Sequence, residues 1–382
     1  MRSPSVSLRE AARQSWDVIV VGAGPAGALA ARETARAGRS VLLVDRATFP
    51  RWKVCGSCLN GRALATLAQV GLADLTAQHK AVPLNAFHLA STGRSANVPL
   101  PGGVALSRGT FDTALVESAV SAGAAFLPAT RAVPDSVSAD ARTLRLVGTN
   151  DEATVSARVV LAADGLASTF APGKPTVRHG SRVGAGTLAD DAPAFYSPGT
   201  IFMACGPAGY VGLVRQEDHR LDIAAAFDAR ALPGHGPAAL AEQTLAHVGW
   251  PAIPNLRQLP WRGTPALTRT AGRLAAHRLF VLGDAAGYVE PFTGEGMAWA
   301  LAGARAVAPL AIEGATNWRP SLPAAWTARY RQAVRSRQTI CRAAAHLLRS
   351  PTLTSGLIAL LRLAPGLLGP LVRSMNGPNE LR

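Results

Sequence analysis

Residues 16–45 read WDVIVVGAGPAGALAARETARAGRSVLLVD, and the rest of the chain is best understood outward from them. Trp16 to Val21 is a β-branched run bounded by glycine, the pattern of a short buried parallel strand. Gly22-Ala23-Gly24-Pro25-Ala26-Gly27 then opens an alanine-rich helical segment that ends at Gly38, and Val41 to Val44 form a second strand with Asp45 at its end. This is the strand, G-x-G-x-x-G, helix, strand, acid unit of dinucleotide-binding α/β proteins. Gly22 suits the tight turn, Gly24 lets backbone N–H groups approach a pyrophosphate, and Gly27 lets helix and strand pack closely. The helix N-terminus faces the phosphate charge, and Asp45 is placed to accept hydrogen bonds from the adenosine ribose.

The unit alone does not choose between FAD and NAD. A second signal lies about 240 residues later. Arg278 to Leu282 reads as a strand running into Gly283-Asp284-Ala285-Ala286-Gly287, followed by Pro291-Phe292-Thr293-Gly294-Glu295-Gly296-Met297 and another alanine-rich helix. An aspartate at the carboxyl end of a parallel strand can hold a ribityl or ribose hydroxyl. Glycines beyond it let backbone N–H groups face a flavin edge, where negative charge develops on reduction.

With these motifs the chain resembles the FAD-dependent oxidoreductases of the p-hydroxybenzoate hydroxylase fold, and within them the geranylgeranyl reductase-like branch. The residues that carry the resemblance are Gly22, Gly24, Gly27 and Asp45; Phe49-Pro50-Arg51-Trp52-Lys53-Val54-Cys55-Gly56; Arg108 with Asp112; Ala163-Asp164-Gly165 with Ser168; and Gly283-Asp284 through Gly296. They run in the family's order from residue 16 to about 310. The resemblance implies FAD as cofactor. Asp45 would hold the adenosine ribose, Arg108 would lie near the pyrophosphate, and Asp284 would hold the ribityl and phosphate region. Pro25, Ala26, Arg46, Cys55, Gly56, Asp164, Pro291, Gly294, Gly296 and Met297 would complete the cofactor's surroundings. Asp164-Gly165 matches the motif that in the hydroxylases borders both FAD and a transient pyridine nucleotide. Here Ser168 leads into Thr169-Phe170-Ala171-Pro172 rather than toward an arginine, so NAD(P)H as a transient donor and a separate electron donor both stay open.

The substrate side departs from the family. Where prenyl reductases carry Tyr-x-Trp-x-Phe-Pro and halogenases Trp-x-Trp-x-Ile-Pro, this chain has Gly209-Tyr210-Val211-Gly212-Leu213-Val214-Arg215. The tyrosine is kept; the tryptophan and Phe-Pro are not. Arg215 is either a contact for an acidic substrate group or a strand-end arginine. The candidate catalytic residues are Cys55, Tyr210 and Glu295. Cys55-Gly56-Ser57-Cys58 reads as a redox pair, as a flavin-side loop shaped by Cys55, or as two packed thiols.

Composition narrows the remainder. With 48% hydrophobic and 16% charged residues in a chain of 382, a sizeable core is expected and disorder is not. The net charge of +15 comes from 39 basic residues, of which only Lys53, Lys80 and Lys174 are lysine. The arginines are scattered rather than clustered, so nucleic acid is not an expected partner. Four cysteines make neither a disulfide framework nor a zinc site, no metal is expected, and a reducing cytoplasm is the default compartment. The first 14 residues lack the apolar core of a secretory signal.

The fold class expected is α/β: a Rossmann-like FAD-binding domain, an interleaved antiparallel substrate-binding sheet and a C-terminal helical segment. Residues 16–80, 103–175 and 270–312 would form the FAD domain, 81–102 and 176–269 the substrate domain, and 320–382 a helical cap. Arginines 329, 331, 335, 337 and 342 followed by a leucine-rich stretch suit a cap over the cavity, peripheral contact with an anionic membrane, or a dimer interface. The reaction favoured at this level is a monooxygenase that hydroxylates an apolar aromatic or polyketide-like molecule through a flavin C4a-hydroperoxide. The alternative is a reductase of carbon–carbon double bonds in a prenyl or lipid-like substrate; a halogenase or a non-catalytic flavoprotein ranks below both.

Overall fold

The structure, a computed structural model, describes residues 6–290, 294–347, 349 and 351–363. Its first sheet has a parallel core. Strands Trp16–Val21, Val41–Val44, Ala125–Leu127, Glu152–Ala162 and Leu279–Val281 pair in parallel, with Trp16–Val21 in the middle, between Val41–Val44 and Glu152–Ala162. All six residues of Trp16–Val21 are buried except Asp17, because helices cover both faces of a parallel sheet. Helix Pro25–Arg36 follows the glycine loop and packs on Arg108–Ser121 and on Gly296–Thr316. An antiparallel meander, Arg131–Val137, Arg142–Val147 and the long strand Glu152–Ala162, hangs from one end of the sheet.

The second sheet has seven strands in the order Arg262–Ala266, Val183–Ala189, Leu221–Phe227, Gly209–Arg215, Thr200–Gly206, Ala86–Ser91 and Arg94–Pro99. Only Thr200–Gly206 with Ala86–Ser91 is a parallel pair. Its side chains alternate between two cores, as the pleat requires. Phe202, Val211, Leu213, Ile223 and Phe227 pack outward with Tyr196, Trp250 and helix Gly236–His247. Leu89, Val98, Met203, Tyr210 and Ala226 pack inward.

Three short strands, Cys58–Leu59, Val82–Pro83 and Val104–Ala105, form a separate small sheet, so the seven-stranded sheet begins at Ala86. The C-terminal helices differ in their role. Leu322–Tyr330 runs through a wider turn at 331–335 into Ser336–Leu347 and packs beside the parallel sheet, where the Trp326 ring N–H donates to the Val281 carbonyl at 3.0 Å. Helix Pro351–Leu363 lies across Ala86–Ser91 and Arg94–Pro99, burying Ile358 and Leu361 against their inner face. Among the described residues no helix is long and apolar enough to cross a membrane.

Candidate active site

The two sheets enclose one cavity of about 1390 Å³. Its floor is the carboxyl end of the parallel sheet, where ligands bind in open α/β folds. Gly22 has φ of +97°, and a Cβ there would lie 2.3 Å from the Ala163 carbonyl oxygen. A Cβ on Gly27 would lie 1.8 Å from the Gly22 carbonyl oxygen, so the loop closes only with glycine at both positions. Gly24 is different. A Cβ there would meet only the Arg51 and Arg108 guanidinium nitrogens, at 3.5 and 3.7 Å, so its missing side chain leaves a hollow facing two cations. No side chain caps the helix that starts at Pro25, and its first-turn N–H groups have no intrahelical partner. Uncapped N–H groups, a hollow and two guanidinium groups together suit a pyrophosphate.

One buried carboxylate organises those cations. Asp112, with no exposed surface, accepts from Arg108 Nε at 2.9 Å and Nη2 at 2.7 Å, and pairs with Arg51 Nη2 at 3.2 Å. Burial works against the charged form of Arg108, but Asp112 and the adjacent Cys55 more than offset this and raise its pKa. The N-terminus of the Arg108 helix is clasped from the other sheet. Glu217, in the hairpin turn after Arg215, accepts from Ser107 N at 2.8 Å, Ser107 Oγ at 2.7 Å and Thr110 Oγ1 at 2.7 Å.

Asp45 accepts from Ala23 N at 2.7 Å and Ala47 N at 2.8 Å; it fixes the glycine loop and still borders the cavity. Asp284 pairs with Lys53 Nζ at 3.1 Å, and Gly283 sits so close to Ala26 that a Cβ would come within 2.9 Å of it. Asp164 accepts from Thr169 N at 2.9 Å through one oxygen, while the other is buried without a partner among the described residues. Burial raises its pKa. That orphaned oxygen, like the hollow at Gly24, fits a cofactor that brings donors and phosphates of its own.

The structure therefore brings together around one cavity Gly22, Gly24, Pro25, Ala26, Asp45, Arg46, Cys55, Gly56, Arg108, Asp164, Gly283, Asp284, Gly294, Gly296, Met297 and Tyr210. Gly27 lies behind the wall, packed on Gly22. Pro291 falls outside the described residues. Glu295 turns away: it is buried and accepts from the Cys341 thiol at 2.7 Å. Tyr210 is buried under the Arg182 guanidinium, 5.6 Å from its ring, and burial raises its hydroxyl pKa well above the usual value. Arg215 is consumed by the carbonyls of Tyr196, Ala192, Pro193 and His219, so it is not free to meet a substrate. Glu290 is buried against Arg182 at 3.1 Å. Cys55 and Cys58 are free thiols; Cys58 is buried, which pushes its pKa well up, and it donates to the Gly56 carbonyl at 2.8 Å.

Three residues that matter to this geometry have no role assigned from sequence: Arg51, Lys53 and Glu217. The first two belong to the Phe49 to Gly56 motif, and the basic pair flanking Trp52 is a signal available there. Nothing local marks Glu217.

The FAD-binding-domain family model matches residues 15–312. The chain belongs to this family of FAD-dependent oxidoreductases. A digeranylgeranylglycerophospholipid reductase of Methanopyrus kandleri is 30% identical over 329 residues, covering 78% of this chain and 80% of the relative, which is consistent with the geranylgeranyl reductase-like branch. A menaquinone reductase of Mycobacterium tuberculosis is 39% identical over 160 residues, and that match spans only 38% of the relative's length and 40% of this chain. Among solved structures, p-nitrophenol 4-monooxygenase PnpA from Pseudomonas putida DLL-E4 superposes with a TM-score of 0.75 at 16% identity, covering 95% of this chain and 98% of that one. Flavin-dependent brominase Bmp2 superposes with a TM-score of 0.77 at 15% identity, covering 95% and 94%. These two likenesses establish the fold. The protein is an FAD-dependent oxidoreductase enzyme.

Proposed function

We propose that this enzyme reduces carbon–carbon double bonds in a long apolar, isoprenoid-like substrate. The observation that carries the reading is the cavity. Its roughly 1390 Å³ takes in the cofactor's half and continues beyond it under the seven-stranded sheet. There its walls are Phe87, Leu89, Val98, Met203, Tyr210 and Leu267, closed by Leu357 and Leu361 of the C-terminal helix. An apolar chain gains about 25 cal/mol for each Å² that such walls remove from water. Three of the relatives matched over more than three quarters of this chain bear the name digeranylgeranylglycerophospholipid reductase, which puts this reading ahead of the hydroxylase favoured from sequence alone.

In this reading Gly22, Gly24, Asp45, Arg51, Arg108, Asp164 and Asp284 hold FAD, which when reduced supplies a hydride. The apolar wall positions the double bond and excludes water. NAD(P)H or a separate protein as the source of electrons, and peripheral contact of the C-terminal helices with a membrane, belong to the same proposal. Leu353 and Leu360, both about half exposed on the outer side of that helix, support the membrane contact.

The test is anaerobic. Photoreduced, FAD-loaded protein mixed with geranylgeraniol should regain oxidised-flavin absorbance while the alcohol gains two hydrogens. Flavin that stays reduced without oxygen, together with a product carrying one oxygen atom in air, would overturn the proposal in favour of the monooxygenase.

A further inference from the structure

On the wall opposite the cofactor half of the cavity lies an acid that the site described above does not use. In strand Leu221–Phe227, residues 222, 224 and 226 face inward and border the cavity, while Leu221, Ile223 and Phe227 belong to the outer core. Two of the inward residues are alanines. The third is Asp222, 1% exposed and the sole carboxylate that the sheet's described residues present to the cavity.

Its surroundings are built. Ser57, held at φ of +49° in the loop between Cys55 and Cys58, donates its hydroxyl to Asp222 Oδ2 at 2.7 Å. Gln216 Nε2 in turn donates to Ser57 Oγ at 2.7 Å. Asp222 Oδ1 and Gln216 Oε1 are both buried without a partner among the described residues. Two buried acceptors without donors are costly, and a proton on the carboxyl removes much of that cost. The charged and polar groups facing Asp222 are Arg108 from its helix, Cys58 from the small sheet, Asp218 from the hairpin, and Ser57 and Trp52 from the loop. Strands Val183–Ala189 and Gly209–Arg215 place only Leu188 and Val214 beside it in register. Burial raises its pKa to about 7, with the Ser57 hydroxyl, the Arg108 charge and the Trp52 ring edge opposing the rise.

We propose that Asp222, anchored by Ser57 on the cavity wall, is the acid that supplies the proton completing double-bond reduction. The inference rests on the reductase reading. In that step the carbon–carbon π bond breaks, one carbon takes a hydride from the reduced flavin, and the other takes the proton from the Asp222 carboxyl. The flavin gives up two electrons, and Asp222 is left as a carboxylate that Ser57 and Arg108 stabilise until solvent returns a proton.

The test compares full-length, FAD-loaded wild type with Asp222→Asn, which keeps an acceptor for Ser57 but carries no acid. Infrared difference spectra between acid and alkaline pH should show in the wild type a protonated-carboxyl band that disappears with a midpoint near 7 and is absent from the variant. Ser57→Ala should move that midpoint upward, since a donor to the carboxylate is lost. In anaerobic single turnovers with geranylgeraniol, the variant should return to oxidised flavin about 100-fold or more slowly, the scale of a lost general acid, with FAD affinity within threefold. A band that persists in Asp222→Asn, or a variant whose flavin reoxidises within threefold of wild type, would overturn the role of Asp222. Wild type that fails to reoxidise with geranylgeraniol would instead overturn the reductase reading, and the infrared band would still decide whether Asp222 holds a proton.

Discussion

Asp112 shows how much one buried side chain can control. It is wholly enclosed and touches no ligand, yet it sets the direction of both guanidinium groups above the Gly24 hollow. Asp112→Ala leaves Arg108 buried and unpaired, which costs roughly 3–5 kcal/mol. The variant should unfold at clearly lower denaturant and copurify with little FAD, read as the ratio of flavin to protein absorbance. Asp284→Ala is expected to give mostly colourless protein whose stability is near that of FAD-free wild type, because that carboxylate is partly exposed and its pairing with Lys53 is a solvent-accessible one. Asp222 makes the opposite prediction for stability. Its folded pKa is raised, so its contribution is fully present below the ordinary aspartate range and is lost as pH rises through about 7. Asp222→Asn should therefore gain most in melting temperature over wild type at pH 8, gain less at pH 5, and gain little or nothing at pH 3, with a relief at pH 8 on the order of a few kcal/mol.

At the scale of elements, the parts legible in sequence were those whose chemistry is contiguous. The strand, glycine loop and helix of residues 16–45 appear where expected because each signal lies within a few residues of the next. Asp284 was readable because it ends a strand and begins a turn. Glu217 and Asp222 were not: Glu217 meets partners 107 and 110 positions away, and the partner of Asp222 is 165 positions away. An acidic hairpin turn has no distinguishing local pattern. Arg215 is open to two readings in sequence for the same reason, since three of the four carbonyls that occupy it lie in a loop about 20 residues upstream. The leucine-rich tail could not be read one way from sequence, because an amphipathic helix offers the same stripe to a sheet or to a lipid surface. Ile358 and Leu361 face the sheet, and burying each such side chain is worth about 1.5–3 kcal/mol. Leu361→Asp should therefore weaken binding of an apolar substrate at least tenfold while leaving FAD content unchanged, measured by equilibrium binding to the loaded protein.

At the scale of the whole molecule, the cofactor half of the cavity is assembled from residues 22 to 297, and the opposite wall from strands inserted between those segments. A site scattered through the chain is completed only in the folded state, so FAD binds the native protein and not the unfolded chain. At a free FAD concentration 1,000 times its dissociation constant the gain is about 4 kcal/mol, and the melting temperature should rise with added FAD until the protein is saturated. A melting temperature indifferent to FAD would mean that the cavity is not its site.

The grip of Glu217 on Ser107 and Thr110 bears on how such an enzyme can be altered. The strands of the hairpin that carries Glu217 shape the apolar wall, while its turn secures the helix that presents Arg108 to the cofactor. Selectivity and cofactor retention thus share a hinge, and an engineer who redraws the hairpin to admit a new substrate should expect flavin to leak away. Changes confined to Leu89, Val98 and Met203, on strands that do not reach that turn, offer a route to new substrates that leaves the grip on FAD alone.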